Sequence, residues 1–342
     1  MTDRTSWTTG AVLAGLSLGL IVVAVLSLGL GRYGISIADV ARILVEAASG
    51  RGDPSAIERH VVLMVRLPRV LTALLAGAGL ALGGAALQGV FRNPLVGPHI
   101  VGVSQGAAFG GTLAILAGAS QGVLLLGAFT FGLVALAAVY GLGALVPRRD
   151  MLVLVLAGVV VGGFFGALVS LVQYVADSEE KLPRIVFWLL GSFATADYGR
   201  LALLAVPFVL GGGILLLLRW RIDILSLGDE EARGLGVRVE PTRWAILVLV
   251  GLLVSAQVAV SGVIGWLGLV VPHVARRMVG PSHRALLPAS LLVGGLFMVI
   301  VDDLARTLTP TEIPLGILTA LIGAPVFAVL LLRAPRAERG HG

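Results

Sequence analysis

The sequence predicts an all-α polytopic membrane protein of about ten transmembrane helices. Two observations carry that expectation. Of 342 residues, 57% are hydrophobic and only 13% charged, against about 25% charged in an average soluble domain. The charges also gather between apolar runs of about 20 residues, the length that crosses about 30 Å of hydrocarbon as a helix. The chain has no cysteine, so disulfides, thiolate metal sites and cysteine nucleophiles are excluded.

The spans follow in order. Residues 11–30 are free of charge, and Gly31-Arg32-Tyr33 after them is not a small-residue cleavage site, so the segment reads as a retained span. Residues 70–91 form the second. No charge occurs from Pro94 to Val146, which is too long for one crossing, and the polar Ser120-Gln121-Gly122 marks the reversal between spans at 98–118 and 122–146. Residues 151–176 and 201–218 are the fifth and sixth spans. Between them 185–196 is too short to cross and reads as a surface or re-entrant helix. The run 244–275 splits at Ser261-Gly262 into 244–260 and 263–279, and 285–301 and 313–332 complete the set.

Of the 25 basic residues, 24 are arginine and Lys181 is the only lysine. Flanked by Glu180 and Leu182, it cannot complete a Walker A loop, which excludes a P-loop ATPase. The basic excess fits membrane topology, and no nucleic-acid partner is expected. With both termini cytoplasmic, the inner loops and tails carry 15 of the Lys and Arg residues and the outer side 10, in keeping with the positive-inside rule. One outer loop, between the first two spans, departs from it: Arg32, Arg42, Arg51, Arg59, Arg66 and Arg69 stand there among Asp39, Glu46, Asp53 and Glu58. The plain reading is a partly helical, solvated segment with paired charges. The sharper one is that some of these arginines face an acidic partner outside the cytoplasm.

The 47 glycines recur at four-residue spacing in Gly79/Gly83, Gly106/Gly110, Gly158/Gly162 and Gly162/Gly166, which lets helices approach closely. No acid sits at the centre of any span, whereas ion-coupled carriers commonly place ionisable groups there; an ion-coupled secondary transporter is the disfavoured alternative. The candidates for lining a passage are uncharged: Gln88, Asn93, Gln105, Ser170 and Gln173. Ser255 and Gln257 also lie within spans, and bonding to a neighbouring helix is the plainer reading for any one of these. Gly102-Val103-Ser104-Gln105-Gly106 matches G-x-S-x-G, but it opens a membrane helix and lacks the strand that a nucleophile elbow needs. The five histidines show no paired metal-ligand spacing, and no enzyme activity or metal site is expected. The similar heptads Leu95-Val96-Gly97-Pro98-His99-Ile100-Val101 and Leu269-Val270-Val271-Pro272-His273-Val274-Ala275 suggest an internal repeat of five spans each.

The largest inner segment, 219–243, contains Ile224-Leu225-Ser226-Leu227-Gly228-Asp229-Glu230-Glu231-Ala232-Arg233-Gly234-Leu235-Gly236. Ser226 or Asp229 could cap a short helix whose first turn is acidic. Leu225, Leu227, Ala232 and Leu235 would then offer apolar contacts beside a charged rim, a handle that a soluble motor could grip.

Together with Arg66-Leu67-Pro68-Arg69, Gln88-Gly89-Val90-Phe91-Arg92-Asn93-Pro94-Leu95-Val96-Gly97-Pro98, Gly102-Val103-Ser104-Gln105-Gly106-Ala107, Gly268-Leu269-Val270-Val271-Pro272-His273 and Glu312-Ile313-Pro314-Leu315-Gly316, the series Leu227 to Gly236 resembles the FecCD-type permease family. These are the membrane subunits of type II ABC importers for ferric siderophores, heme and cobalamin. The likeness runs from about residue 12 to 333, in one order and spacing. It implies a ten-helix type II importer permease fold in a prokaryotic cytoplasmic (inner) membrane, paired with a second permease copy as a homodimer or with a close homologue. It also implies two cytoplasmic ABC ATPases that use ATP and Mg, no cofactor on this chain, and an extracytoplasmic substrate-binding protein. Carried over by position, the coupling element falls on 225–236, with Leu225, Leu227, Gly228, Asp229, Glu230, Glu231, Ala232, Arg233 and Gly236. The docking arginines fall on Arg66, Arg69 and Arg306, which would meet glutamates on the binding protein. The fifth and tenth spans would line the passage. The expected cargo is an iron chelate, a ferric siderophore or heme, with cobalamin or an oxyanion such as molybdate as alternatives. Where many relatives carry an alanine and then an acid after Pro-Leu, this chain has Val96-Gly97, which weakens assignment to a cargo branch.

Overall fold

The structure is a computed structural model that describes residues 2–31, 33–50, 57–146 and 151–332; Arg32, Arg51, Asp53, Arg148 and Arg149 lie outside the described residues, as do Arg333, Arg336 and Arg339. Among the described residues there is no strand. The helices are α1 Thr2–Gly29, α2 Ile37–Ala48, α3 Ile57–His60, α4 Leu67–Phe91, α5 Val103–Leu116, α6 Gln121–Leu145, α7 Met151–Val175 and α8 Lys181–Leu190. They continue with α9 Tyr198–Pro207, α10 Gly213–Leu217, α11 Arg219–Leu225, α12 Asp229–Gly234, α13 Val239–Ser261, α14 Leu267–Val279, α15 His283–Thr307 and α16 Leu315–Leu332. Seven stretches are long and apolar enough to cross a membrane: Thr9–Gly29, Ile57–Phe91, Gln121–Leu145, Met151–Val175, Tyr198–Leu217, Val239–Ser261 and His283–Thr307. Val103–Leu116 and Leu315–Leu330 are shorter apolar helices, and α14 is shorter still.

Two of the long stretches contain a π-helical turn, Val61–Arg66 and Phe208–Gly212. Both adjoin a proline. Pro68 has no N–H to give residue 64, and its ring crowds that carbonyl; the preceding turn widens while the helix runs on into α4. Pro207 stands immediately before the second widened turn.

α4 is the axis of the bundle, buried along nearly its whole length and packed by α15, α14, α13 and α9. Its small residues explain the contact. A Cβ on Gly84 would lie 1.9 Å from the carbonyl oxygen of Gly268 in α14, and one on Gly77 would lie 2.2 Å from that of Gly294 in α15. α5 and α6 touch in the same way where Gly110 faces the carbonyl of Gly127. Of the glycine pairs singled out by spacing, Gly106/Gly110 makes close contacts at both positions; Gly158 does too, against the carbonyl of Ile100, but Gly162 and Gly166 have room for a side chain.

The loop between α1 and α4 folds into α2, capped by Ser36, whose Oγ accepts from the Asp39 N–H. Ser36 and then Arg42 hold the Asp39 carboxyl below its ordinary range, and Arg42 pairs with Asp39 at 2.7 Å and with Glu46 at 3.8 Å. The two similar heptads adopt different conformations. Pro98 opens the 3-10 turn Pro98–Val101 ahead of α5, whereas Pro272 lies inside α14.

Gly84→Ala forces backbone apart and is expected to destabilise the protein by about 1–3 kcal/mol, the cost of overpacking. Gly163→Ala, at a position with no neighbour within 4 Å, is expected to leave the unfolding midpoint of the purified protein unchanged or slightly raised. Equal midpoints for both variants would contradict the close approach of α4 and α14.

Candidate functional site

The bundle has two polar ends. Residues 219–238 occupy one, reached by the last residues of α4, because Arg92 Nη2 stands 3.5 Å from Asp229 Oδ1. The start of α4, the end of α15 and the start of α16 meet at the other, called here the far end.

At the far end Arg69 is held between two carboxylates. Its Nε and Nη2 donate to Asp302 at 2.9 Å each, and Nη1 and Nη2 donate to Glu312 at 2.8 and 3.0 Å. Arg306, one turn beyond Asp302, donates to the Ser27 carbonyl at 2.6 Å and to Asp303 at 2.5 Å. Arg66 gives its protons to the carbonyls of Leu28, at 2.8 Å, Gly29, at 3.0 Å, and Tyr33. The network joins α1, α4, α15 and the turn before α16, and balances three cations with Asp302, Asp303 and Glu312.

These are the three arginines expected from sequence to dock a binding protein. Arg66, Arg69 and Arg306 are only 5%, 8% and 7% exposed, and in this single chain their donors are engaged by groups of the chain itself. Desolvated guanidinium groups require partners, and neighbouring helix ends supply them. Arg306 does border an open depression of about 490 Å³ lined by Gly31 and residues 307–310.

At the segment end, α12 is short and fixed at both sides. Gly228, with φ +148°, provides the entry; a side chain there would meet Glu231 Oε2 at 2.0 Å. Gly236, at φ +80°, closes it in a Schellman turn: its N–H reaches the Arg233 carbonyl, and the Val237 N–H that of Ala232. The capping expectation changes. Ser226 Oγ donates to the Asp223 carbonyl, while Asp229 accepts both of its short bonds, 2.9 and 3.0 Å, from Arg243 Nη2. Arg243 is fully buried and also holds Glu240 at 2.7 Å. Ahead of α12, Asp223 accepts from Ser282 Oγ at 2.9 Å and from the backbone N–H of His283 at 2.6 Å, at the head of α15.

The apolar residues of this segment divide. Leu225 and Ala232 are buried and anchor it, whereas Leu227 and Leu235 are 62% and 57% exposed. Glu230, Glu231 and Arg233 are exposed beside them.

The five passage candidates also separate. Gln88 is buried; its amide donates to the Leu269 carbonyl at 3.2 Å and accepts from Arg276 at 3.1 Å. It bonds α4 to α14. Asn93 is exposed in a turn, accepting from the Leu95 N–H at 2.9 Å. Gln105 and Ser170 are exposed and Gln173 half-buried. Gln105 lies against α7 at Gly162, and α7 presents an open face with Leu156, Val160 and Ser170 that carries no charge. Ser104 of the G-x-S-x-G match is buried and lies 2.8 Å from His99 Nδ1, but His99 Nε2 lies 3.1 Å from the Ile264 carbonyl and not against an acid. The pair ties the 98–104 turn to the 262–266 turn. Among the described residues no cluster of three or more metal-ligating side chains occurs.

The FecCD transport family matches residues 19–333. The chain belongs to the FecCD transport family. FecCD relatives include the molybdate import system permease protein MolB of Haemophilus influenzae, 51% identical over 326 residues, 95% of this chain and 96% of MolB. The hemin transport system permease protein HmuU of Yersinia pestis is 40% identical over 289 residues, 82% of this chain and 86% of HmuU. A solved structure described as an inward-facing conformation of a metal-chelate type ABC transporter superposes with a TM-score of 0.87 at 49% identity, covering 95% of this chain and all of the other. This FecCD chain is therefore a multi-pass permease of a prokaryotic inner membrane, the transport subunit of an ABC importer and not an enzyme. Membership implies ATPase and binding-protein partners.

Removing Arg69 takes both of its short bonds from the buried Asp302 and leaves it only the longer 3.9 Å pairing with Arg306. Arg69→Met is expected to cost about 3–5 kcal/mol, and the double variant Arg69→Met/Asp302→Leu to recover part of that loss. Thermal unfolding of the purified variants reads both; an Arg69→Met protein as stable as the wild type would deny the network its role.

Proposed function

We propose that two copies of this chain form a passage that imports a molybdate-type oxyanion, with the termini and residues 219–238 on the cytoplasmic face. The observation that carries the cargo is the 51% identity to MolB over 95% of the chain, against 40% to HmuU. That ordering moves the oxyanion ahead of the iron chelate favoured on the sequence motifs alone. An iron chelate is the second reading, supported by HmuU and by the metal-chelate type transporter that superposes at a TM-score of 0.87.

In this reading ATP and Mg act at the two partner ATPases, and this chain binds no cofactor. Leu227 and Leu235 insert into the ATPase surface beside Glu230, Glu231 and Arg233. The Asp229–Arg243 and Asp223–His283 bonds carry the resulting displacement to α13 and α15. The open faces of α7 and α16 border the passage, where Gln105, Ser170 and Gln173 offer neutral donors. A dianion meets hydrogen-bond donors there without a fixed cation to trap it, and conduction requires sites weak enough to leave. The binding protein docks at the far end, over the Arg306 depression, whose frame is the Arg69 network.

Proteoliposomes holding this permease, its cognate ATPase and its binding protein are expected to take up molybdate only when ATP is enclosed with the ATPase. Uptake of a ferric siderophore or heme without molybdate would replace the cargo assignment, and uptake with no ATPase present would end the importer reading. Leu227→Asp/Leu235→Asp changes exposed residues only, so the unfolding free energy should stay within about 0.5 kcal/mol while ATP-driven uptake falls at least about tenfold, a loss of about 1.4 kcal/mol in coupling. Undiminished uptake would place the grip elsewhere.

A further inference from the structure

A second polar cavity lies at the far end, away from the Arg69 network. α8 lies across the ends of α5 and α6 and meets the start of α9, enclosing about 370 Å³. Trp188 forms a wall by lying on α5 at Gly111, where a Cβ would stand 2.0 Å from its ring. Arg200 lines the cavity together with Arg184, Gln121, Ser192 and Thr195.

Arg200 is the unusual member. Only 8% of it is exposed, yet its guanidinium has one protein partner among the described residues, Thr195 Oγ1, reached from Nη1. The nearby Asp197 carboxylate caps α9 by accepting the backbone N–H of Arg200 at 2.8 Å, and no bond joins it to the guanidinium. Nε and Nη2 are left without a protein acceptor. Arg200 lines the cavity with those donors unfilled by protein, and the contrast with Arg69, whose donors are filled by two carboxylates, is direct. Arg184 adds a second positive charge at the mouth; it is exposed and paired only with the exposed Glu180 at 3.5 Å. Planar guanidinium donors match tetrahedral oxyanions, and Gln121, Ser192 and Thr195 can complete the shell.

We propose that the Arg200 cavity binds a phosphate-type oxyanion, either free in solution or as the headgroup of an acidic phospholipid. The apolar part of the wall, with Phe187 and Trp188, accommodates either an ion with its water or a headgroup and the first carbons of its chains. The site is separate from the proposed passage and does not depend on the cargo.

The test uses the full-length permease in nanodiscs. In one arm, phosphatidylcholine discs are titrated with inorganic phosphate or molybdate while tryptophan fluorescence is followed, Trp188→Phe serving as the blank. In the other, discs containing phosphatidylglycerol are opened in a mass spectrometer under native conditions and retained phosphatidylglycerol is counted. A saturable response that needs Trp188 identifies a free oxyanion, and retained lipid identifies a headgroup. Either result supports the proposal when Arg200→Gln weakens it about tenfold or more, as loss of a charged hydrogen bond predicts. Should Arg200→Gln fail to fold, Arg184→Gln decides instead, because Arg184 is exposed and its loss does not threaten the bundle; a several-fold weakening is then expected. No binding in either arm, or binding indifferent to the deciding substitution, overturns the proposal.

Discussion

The far end of the molecule depends on one guanidinium. Arg69 lies at the first turn of α4 with Asp302 of α15 on one side and Glu312, three residues before α16, on the other. In an apolar bundle the desolvation cost of such a group is met only if its donors are filled, and filling them fixes three helix ends relative to one another. Lower down, Gly77 and Gly294 bring α4 and α15 close enough for their backbones to touch. The ion pairs set register at one end, and the bare glycines set distance along the length. In the proposed reading, in which the ATPases act at residues 219–238, such a fixed frame matters, because a displacement delivered there re-orients helices only where their far ends are held.

Seven of the ten expected spans correspond, among the described residues, to helices long and apolar enough to cross, because burial in lipid writes itself as unbroken apolar runs, while 98–118, 263–279 and 313–332 contain shorter helices; the family was legible because its motifs keep their order from Arg66 to Gly316. α12 was also visible, marked by three acids at its start and a glycine after its end. The direction in which polar side chains turn was not legible. Arg66, Arg69 and Arg306 stand in sequence where arginines could face outward, and only the folded chain brings Asp302, Asp303, Glu312 and the carbonyls of α1 to them. Gln88 hides in the same way: its partners Leu269 and Arg276 are more than 180 residues away. Four-residue glycine spacing found the α5–α6 contact but could not find Gly84 against Gly268, since the second glycine belongs to a distant helix. Within the 225–236 segment a hydrophobic tally could not separate the anchors Leu225 and Ala232 from the exposed Leu227 and Leu235. That division depends on which residues the turn at Gly228 directs toward the bundle.

The contrast between the two ends bears on how force could pass. At the segment end Asp229 bridges α12 to the buried Arg243 of α13, and Asp223 holds the head of α15 through Ser282 and His283. Each bond links the exposed segment to a long buried helix, and α13 and α15 are the two that, with α14, enclose α4. A push on Leu227 and Leu235 therefore reaches α4 through rigid neighbours and not through a flexible loop.

In the proposed reading α7 borders the passage, and what that face lacks is as informative as what it holds. Apart from neutral amides and hydroxyls, the open face of α7 is apolar and without charge, so it offers a charged cargo little binding free energy. In the proposed reading, a cargo moving along the α7 face meets no fixed charge there, and that face cannot concentrate it. Selection then has to precede entry, in the binding protein, and direction has to come from ATP. At the Arg69 network the guanidinium groups of Arg69 and Arg306 are neutralised by carboxylates of this chain and Arg66 is spent on backbone carbonyls, so that set leaves no free charge for an anion.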